Sequence, residues 1–326
     1  MNTSKAGNSA PELVALDWGT SSLRAFLMQA GRVIETRHSG HGIQHLPAAG
    51  TAGFEQAFAQ MASDWLQQWP QLPVVACGMV GSAQGWREAP YVRCPADTQT
   101  LAVQSVSVPN RLGKAILIAP GIVFDEPGQL PDVMRGEEIQ IAGALLQNPQ
   151  WAARSCIVLP GTHSKWAQIE NGKIVRFATY LTGELFAVLS KHSILGRLMP
   201  EPTVSTDNKI ETDIAAFELG LSTAKNSGPG DFSHQIFATR TLGLCSRLPQ
   251  SSLVDFLSGL LIGHELVSGS GTIGTAAQVP LIMVGDPTLC QRYAISLRYF
   301  GKCTDAVLEN TAPVGLWDFA CAAGLM

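Results

Sequence analysis

Residues 13–33 read LVALDWGTSSLRAFLMQAGRV. The apolar run Leu13, Val14, Ala15, Leu16 meets a polar, small-residue turn, Asp17-Trp18-Gly19-Thr20-Ser21-Ser22, and a β-prone run follows from Leu23 to Met28. Such a pattern predicts strand, tight turn, strand. Glycine tolerates backbone angles that other residues resist, so the N–H groups around Gly19 to Ser22 can converge on an anion. The hydroxyls of Thr20, Ser21 and Ser22 add donors. Asp17 faces the same spot from the strand end, where a carboxylate beside a phosphate needs a cation between them, and magnesium suits such a site. A solvated hairpin turn would use the same residues.

The pattern returns later in the chain. Residues 156–159, CIVL, run into Pro160-Gly161-Thr162-His163-Ser164-Lys165-Trp166, then to a turn at Asn171-Gly172. Gly19, Thr20, Ser22, Gly31, Arg32 and Val33 match Gly161, Thr162, Ser164, Gly172, Lys173 and Ile174 in type and order. Two such hairpins, one per half, can clamp a polyphosphate from both sides.

At 326 residues the chain is long for one core, and two domains are expected. Hydrophobic residues at 46% and charged residues at 15% describe a well-buried globule. A net charge of −4 gives no electrostatic reason to expect nucleic acid or an acidic membrane surface. The seven cysteines form no C-x-x-C pair, which argues against a zinc site or disulfide framework and fits a reducing compartment. No apolar run approaches the ~18 residues of a membrane span. Residues 1–12 lack a signal-peptide core and read as a loose tail. A cytoplasmic location is the expectation, and a homodimer is compatible with the chain.

Residues 54–69 have helical spacing and stop at Pro70, with core aromatics at Phe54, Phe58, Trp65 and Trp69. His38, His41 and His45 lack acidic or cysteine company and read as loop polarity. Residues 73–80 predict a strand entering the loop Gly81 to Glu88, where Ser82 and Gln84 suit hydroxyls, Trp86 offers a flat face and Arg87 suits a carboxylate. A crossing region follows at Glu126-Pro127-Gly128, dividing the chain into a domain at 13–128 and one at 129–326. Glu137 and Glu138 open a helix to about Gln147; acids there can be helix-dipole decoration, or one of them can be a general base, with Arg135 beside them for a carboxylate or phosphoryl oxygen. Thr182 reads as a helix cap.

Gly269-Ser270-Gly271-Thr272-Ile273-Gly274 matches G-x-G-x-x-G but lies between a helix and a strand, which rejects a dinucleotide site. The strand at 281–284 ends in Gly285-Asp286-Pro287, with Asp286 and Pro287 as cap and first residue of the next helix; Gly285 would let a flat ligand such as adenine approach, and simple helix initiation would use the same residues. No P-loop pattern occurs.

These hairpins, the acidic helix start and the late strand–glycine–helix element resemble the actin-like ATPase superfamily of sugar kinases, hexokinases and heat-shock chaperones. More closely, DWGTSSLRAFLM, CGMVGSAQGWREAPYVRCPA, PDVMRGEEIQIAG, LPGTHSKWAQIENGKI and TYLTGELFAVLSKHSILG together resemble the 2-dehydro-3-deoxygalactonokinase family. The resemblance implies an α/β chain with two ribonuclease-H-like (actin-like ATPase) domains and an interdomain active-site cleft. It also implies transfer of the ATP γ-phosphoryl, with magnesium, to the 6-hydroxyl of 2-dehydro-3-deoxy-D-galactonate in galactonate catabolism. By similarity Asp17, Gly19, Thr20 and Ser21 belong to the first phosphate element, Gly161, Thr162 and His163 to the second, and Gly285 to the adenosine element. Many related sugar kinases carry Asp where this chain has Glu137, and Glu138 competes with it as base. The adenosine element has Gly285-Asp286 in place of the common Gly-Gly pair. Alternative readings are a kinase for another sugar or sugar acid, and a non-catalytic actin-like protein that binds sugar and ATP.

Overall fold

A computed structural model describes residues 10–200, 212–272 and 279–326. Contacts divide the chain into two units. One runs to Arg154 and also takes in Ile169–Phe177 and Asn310–Met326; the other comprises Ser155–Gln168 and Ala178–Glu309.

In the first unit the elements are β1 (Leu13–Trp18), β2 (Leu23–Gln29), β3 (Arg32–Ser39), α1 (Thr51–Gln68), β4 (Val74–Gly78), β5 (Tyr91–Arg93), α2 (Thr98–Val103), β6 (Val106–Pro109), β7 (Ala115–Ile118), β8 (Gly121–Phe124), β9 (Asp132–Met134) and α3 (Glu137–Gln147). The main sheet has the order β3-β2-β1-β4-β7-β6, and β5-β8-β9 form a smaller one. The opening hairpin is as the sequence predicts: β1 and β2 are antiparallel, with Asp17 opposite Arg24 and Trp18 opposite Leu23. Leu13 to Leu16 and Trp18 are fully buried, as befits a strand covered on both faces. Phe54, Ala57, Phe58, Met61 and Trp65 form the buried stripe of α1 and pack into the same core.

The second part of the chain contributes β10 (Arg154–Leu159), β11 (Ser164–Glu170), β12 (Lys173–Tyr180), α4 (Thr182–His192), α5 (Ile214–Lys225), α6 (Phe232–Leu244), α7 (Leu253–Thr272), β13 (Leu281–Val284), α8 (Pro287–Tyr299), β14 (Ala306–Leu308) and α9 (Ala312–Ala322). Its sheet has the order β12-β11-β10-β13-β14, with β10, β13 and β14 parallel.

Four details depart from the sequence reading. First, residues 129–154 group with the first unit, so the division does not fall at 128. The reason is helix packing: the Thr311 hydroxyl donates to Gln140 O at 2.6 Å, and a Cβ on Gly143 would stand 2.1 Å from Thr311 O. No local signal marks that partnership, because α9 lies at the far end of the chain. Second, β4 stops at Gly78, whose φ of 90° breaks the strand, and Met79–Gly81 turn as a 3-10 segment. Third, Glu12 is tied down, its Oε2 accepting from Ala30 N at 2.6 Å. Residues 1–9 of the expected tail lie outside the described residues. Fourth, the G-x-G-x-x-G run begins inside α7, where a Cβ on Gly269 would sit 2.9 Å from the Trp166 ring. That glycine is there for packing, and Ile273 and Gly274 lie outside the described residues.

Candidate active site

In the first unit, carboxylates converge at the carboxyl edge of the main sheet. Asp17, next to last in β1, lies beside Cys77 of β4, their register being parallel. A Cβ on Gly136 would stand 3.2 Å from the Cα of Gly78, so the turn preceding α3 abuts the end of β4. This contact brings the first residues of α3 to the strand ends. The Cys77 thiol reports the convergence: burial first, then the charges of Asp17, Glu138 and Glu137, push its pKa well above the usual range.

The three acids are held differently. Asp17 is raised by burial and drawn back by Arg24, 3.7 Å away. Glu137 is half-buried and its Oε2 accepts from Arg135 N at 3.0 Å. Glu138 is 1% exposed and both its oxygens accept from Gly136 N, at 2.8 and 2.7 Å. Burial, then the Glu137 charge, push its carboxyl up to about 8.

The turn Gly19 to Ser22 is closed by Gly19 N donating to Ser22 O at 2.9 Å, and Thr20 and Ser21 are exposed. Its carbonyls are clamped from behind: Ile43 N donates to Gly19 O and Gln44 N to Thr20 O, both at 3.1 Å. The Trp18 indole donates to His41 O at 2.9 Å, so the histidine-bearing loop braces this turn. No group of three potential metal ligands occurs among the described residues.

The expected sugar-acid loop is mixed. Gln84 and Arg87 are exposed, whereas Ser82 is 9% exposed and its hydroxyl donates to Met79 O at 2.8 Å. The Trp86 ring stacks on Phe54, with centroids 5.7 Å apart, and meets Trp18 edge-on, so one of its faces belongs to the core. Arg135 lies beneath this loop: its Nη2 donates to Ala89 O at 2.8 Å and its guanidinium covers the Tyr91 ring at 4.3 Å. Its Nε and Nη1 are buried without a hydrogen-bond partner.

In the second unit, the turn Pro160 to Thr162 borders a cavity of about 510 Å³, together with Thr182, Gly183, Ser258, Asp286, Arg292 and Tyr293. Two helix starts frame it. α4 lies against the turn, Glu184 N donating to Thr162 O at 3.0 Å, and a Cβ on Gly183 would be 2.5 Å from Gly161 O. At the other helix, Asp286 caps α8 by accepting from Leu289 N at 2.9 Å, with Pro287 as first residue, as the sequence predicts. Gly285 adjoins them; a Cβ there would be 3.3 Å from Pro160 O. His163 Nε2 pairs with the Glu184 carboxylate. Amides and helix N-termini give this cavity an anion-binding character.

Thr182 is not the cap of α4. Leu181 holds that position, and the Thr182 hydroxyl instead donates to the buried Glu265. Glu265 also accepts from Trp166 Nε1 at 2.8 Å and Tyr293 Oη at 2.6 Å. On the cavity wall Arg292 pairs with Asp255 at 2.8 Å and donates to the Ser258 hydroxyl at 3.2 Å. Sequence reading passed over Glu265, Tyr293, Asp255 and Arg292. The available signal was two acids, Asp255 and Glu265, within the otherwise apolar LVDFLSGLLIGHELVSGSGT, where an acid must be buried with partners.

Comparison with known proteins agrees with this architecture. A model of the family described as 2-keto-3-deoxy-galactonokinase matches residues 17–319. The 2-dehydro-3-deoxygalactonokinase of Escherichia coli (strain K12) is 35% identical over 299 residues, 92% of this chain and 94% of that protein. A Rhizobium meliloti (strain 1021) protein provisionally assigned the same activity is 32% identical over 303 residues, covering 91% and 92%. A Sinorhizobium meliloti crystal structure, also a provisional 2-dehydro-3-deoxygalactonokinase, superposes with a TM-score of 0.80 at 29% identity, covering 95% of this chain and 98% of that one. An activator of 2-hydroxyisocaproyl-CoA dehydratase from Clostridium difficile, solved with bound ADPNP, shares the fold at a TM-score of 0.50 and 14% identity, covering 96% of each chain. The fold is the α/β fold of actin-like ATPases and sugar kinases, and the chain belongs to the 2-keto-3-deoxy-galactonokinase family.

Proposed function

We propose that this chain carries out the reaction of its family, ATP-dependent phosphorylation of 2-dehydro-3-deoxy-D-galactonate at the 6-hydroxyl, as a step of galactonate catabolism in the cytoplasm. The observation that carries the assignment of residues is the meeting of Asp17, Glu137 and Glu138 around Cys77 at the edge of the first unit's sheet. Of the two glutamates, Glu137 is the better base. Glu138 is pushed up to about 8 and holds its proton at neutral pH, while both its oxygens accept from the Gly136 amide. Its role in this reading is to fix the first turn of α3, which aims Glu137.

Glu137 takes the proton of the attacking 6-hydroxyl as the oxygen moves in line toward the γ-phosphorus. Positioning and charge compensation supply most of the rate, because phosphoryl transfer asks little covalent work of the protein. The Gly161 and Thr162 turn and the starts of α4 and α8 hold phosphate oxygens, with Gly285 bordering the adenosine. His163, hydrogen-bonded to Glu184, lies at the rim of that turn. Asp17, Gly19, Thr20 and Ser21 serve the transferring end. Asp17 offers the hard oxygen ligand that magnesium takes singly or in pairs alongside phosphates, so the residues present fit that ion. Magnesium would supply charge neutralisation on the phosphates.

The sugar acid is assigned to Ser82, Gln84, Trp86, Arg87 and Arg135. Arg87 is the exposed cation of that loop and suits the carboxylate. Arg135 supports the loop from beneath through Ala89 and Tyr91. A coupled ADP-release assay across a panel of sugar acids and neutral sugars tests the reading. Turnover of 2-dehydro-3-deoxy-D-galactonate well above the rest is the expected result, and equal turnover of neutral sugars would refute the carboxylate assignment.

A further inference from the structure

Behind the phosphate-like turn of the second unit lies a buried chain of polar groups that the phosphoryl-transfer reading does not use. Gly161 N donates to Ser164 Oγ at 3.4 Å; Ser164 Oγ and Tyr293 Oη are 2.8 Å apart; Tyr293 Oη donates to Glu265 Oε2 at 2.6 Å. Glu265 also accepts from the Thr182 hydroxyl at the first turn of α4 and from the Trp166 indole of β11. One carboxylate, 3% exposed, therefore ties α7 to β11, α4 and α8, and residues of α7, α4 and α8 line the cavity.

The direction of these bonds carries the argument. Burial pushes the Glu265 carboxyl up, and its hydrogen-bonded neighbours, Thr182 first, draw it back; the Tyr293 and Thr182 hydroxyls both point their protons at its Oε2. With its own proton so committed, Tyr293 Oη is left to accept from Ser164, and Ser164 Oγ is left to accept from Gly161 N–H. The whole chain then has one polarity, ending at Glu265. Its weakest link is the outermost, at 3.4 Å, beyond the usual range of an N–H···O bond. The Gly161 amide is thus the one donor in the chain that a phosphate oxygen can take at little cost.

We propose that Glu265 is a positioning residue of the nucleotide site, setting through Tyr293 and Ser164 the donor direction of the Gly161 amide and through Thr182 the placement of the α4 start. Burying a carboxylate under a site meant for anions is costly, and packing alone would favour an apolar residue here. The carboxylate's distinctive contribution is to orient donors. This inference rests on the reading of the second unit's cavity as the nucleotide site.

The test compares ATP affinity and steady-state kinetics for the parent, Glu265→Gln, Tyr293→Phe and Gly161→Val. Glu265→Gln replaces one acceptor oxygen by an NH₂ donor and so reverses part of the chain. It is expected to weaken ATP binding and raise the KM for ATP by about tenfold or more, with the KM for the sugar acid unchanged. Tyr293→Phe cuts the relay while leaving Glu265 bonded to Thr182 and Trp166, and is expected to act in the same direction by a smaller factor. The double variant should lose less than the product of the two. Unaltered ATP affinity in Glu265→Gln, or a parallel rise in KM for both substrates, overturns the proposal. Gly161→Val separates this from failure of the nucleotide reading: a Cβ there meets nothing within 4 Å, so the added side chain starts in open space beside the turn. If Gly161→Val leaves ATP affinity intact, the cavity is not the nucleotide site and the proposal falls with that reading. If Gly161→Val weakens ATP but Glu265→Gln does not, only the role of Glu265 fails.

Discussion

The two glycine–threonine hairpins share a sequence pattern and differ in what holds them. The Gly19 turn is braced by backbone, with Ile43 and Gln44 amides donating to its carbonyls, and it carries the carboxylate of Asp17 two residues before the glycine. Leu159 occupies the equivalent place before Gly161, and that turn is braced by side chains and by the start of α4. The first hairpin therefore presents negative charge and the second presents amide donors. A shared turn motif fixes backbone shape, while the residue ahead of the glycine and the support beneath it decide which charge the turn presents.

That contrast can be broken most severely at Glu137. Glu137→Gln is expected to lower kcat by two to four decades, on the order of a general base's contribution, with ATP affinity little changed. An unchanged kcat would move the base to Glu138 or Asp17. A smaller effect, of the opposite kind, is expected from Gly183→Ala. The added methyl meets backbone at 2.5 Å, so the α4 start must shift, raising the KM for ATP by about one to two decades while the KM for the sugar acid holds. Equal shifts in both would mean the helix start serves no one substrate.

The two arginines sharpen the comparison within the first unit. Arg87→Ala should raise the KM for the sugar acid by about tenfold without moving the melting temperature, the loss of one charge-assisted contact at an exposed side chain. Arg135→Ala should instead lower the melting temperature, since it removes the bond to Ala89 O and the cover on Tyr91. Reversal of these two outcomes would exchange their roles.

Glu138 ties the comparison to pH. Its carboxyl titrates at about 8 in the fold against 4.5 in the unfolded chain. Between those values the native state keeps a proton that the unfolded state has lost, so this group's stabilisation is complete below the lower pKa and fades as pH climbs toward the upper one. Melting curves of the parent and Glu138→Gln from pH 5 to 8 should show the parent losing ground steadily to the variant. A constant gap would mean that the carboxyl is already ionised in the fold.

What could be read in advance was local. The β1–β2 hairpin, the α3 start at Glu137 and the Asp286-Pro287 cap each depend on residues within a few positions of one another, and each stands as read. What could not be read depends on partners far along the chain. The stacking of Trp86 on Phe54, the diversion of Thr182 from capping to Glu265, and the grouping of α3 with α9 all arise from tertiary contacts that outbid a local preference. Arg135 shows the same limit: its carbonyl and ring partners sit 46 and 44 positions earlier, beyond any local pattern.

The return of the last residues, Asn310–Met326, to the first unit has a consequence for biosynthesis. Although that unit begins with the earliest strands, α3 lacks its covering helix until residues 312–322 have been made, so the ordinary order in which an earlier domain matures first on the ribosome does not apply. A stop near residue 309 would leave the later-made unit's segments complete and strand the earlier-made one with an open apolar face, so that a late stretch of the chain governs the maturation of an early one.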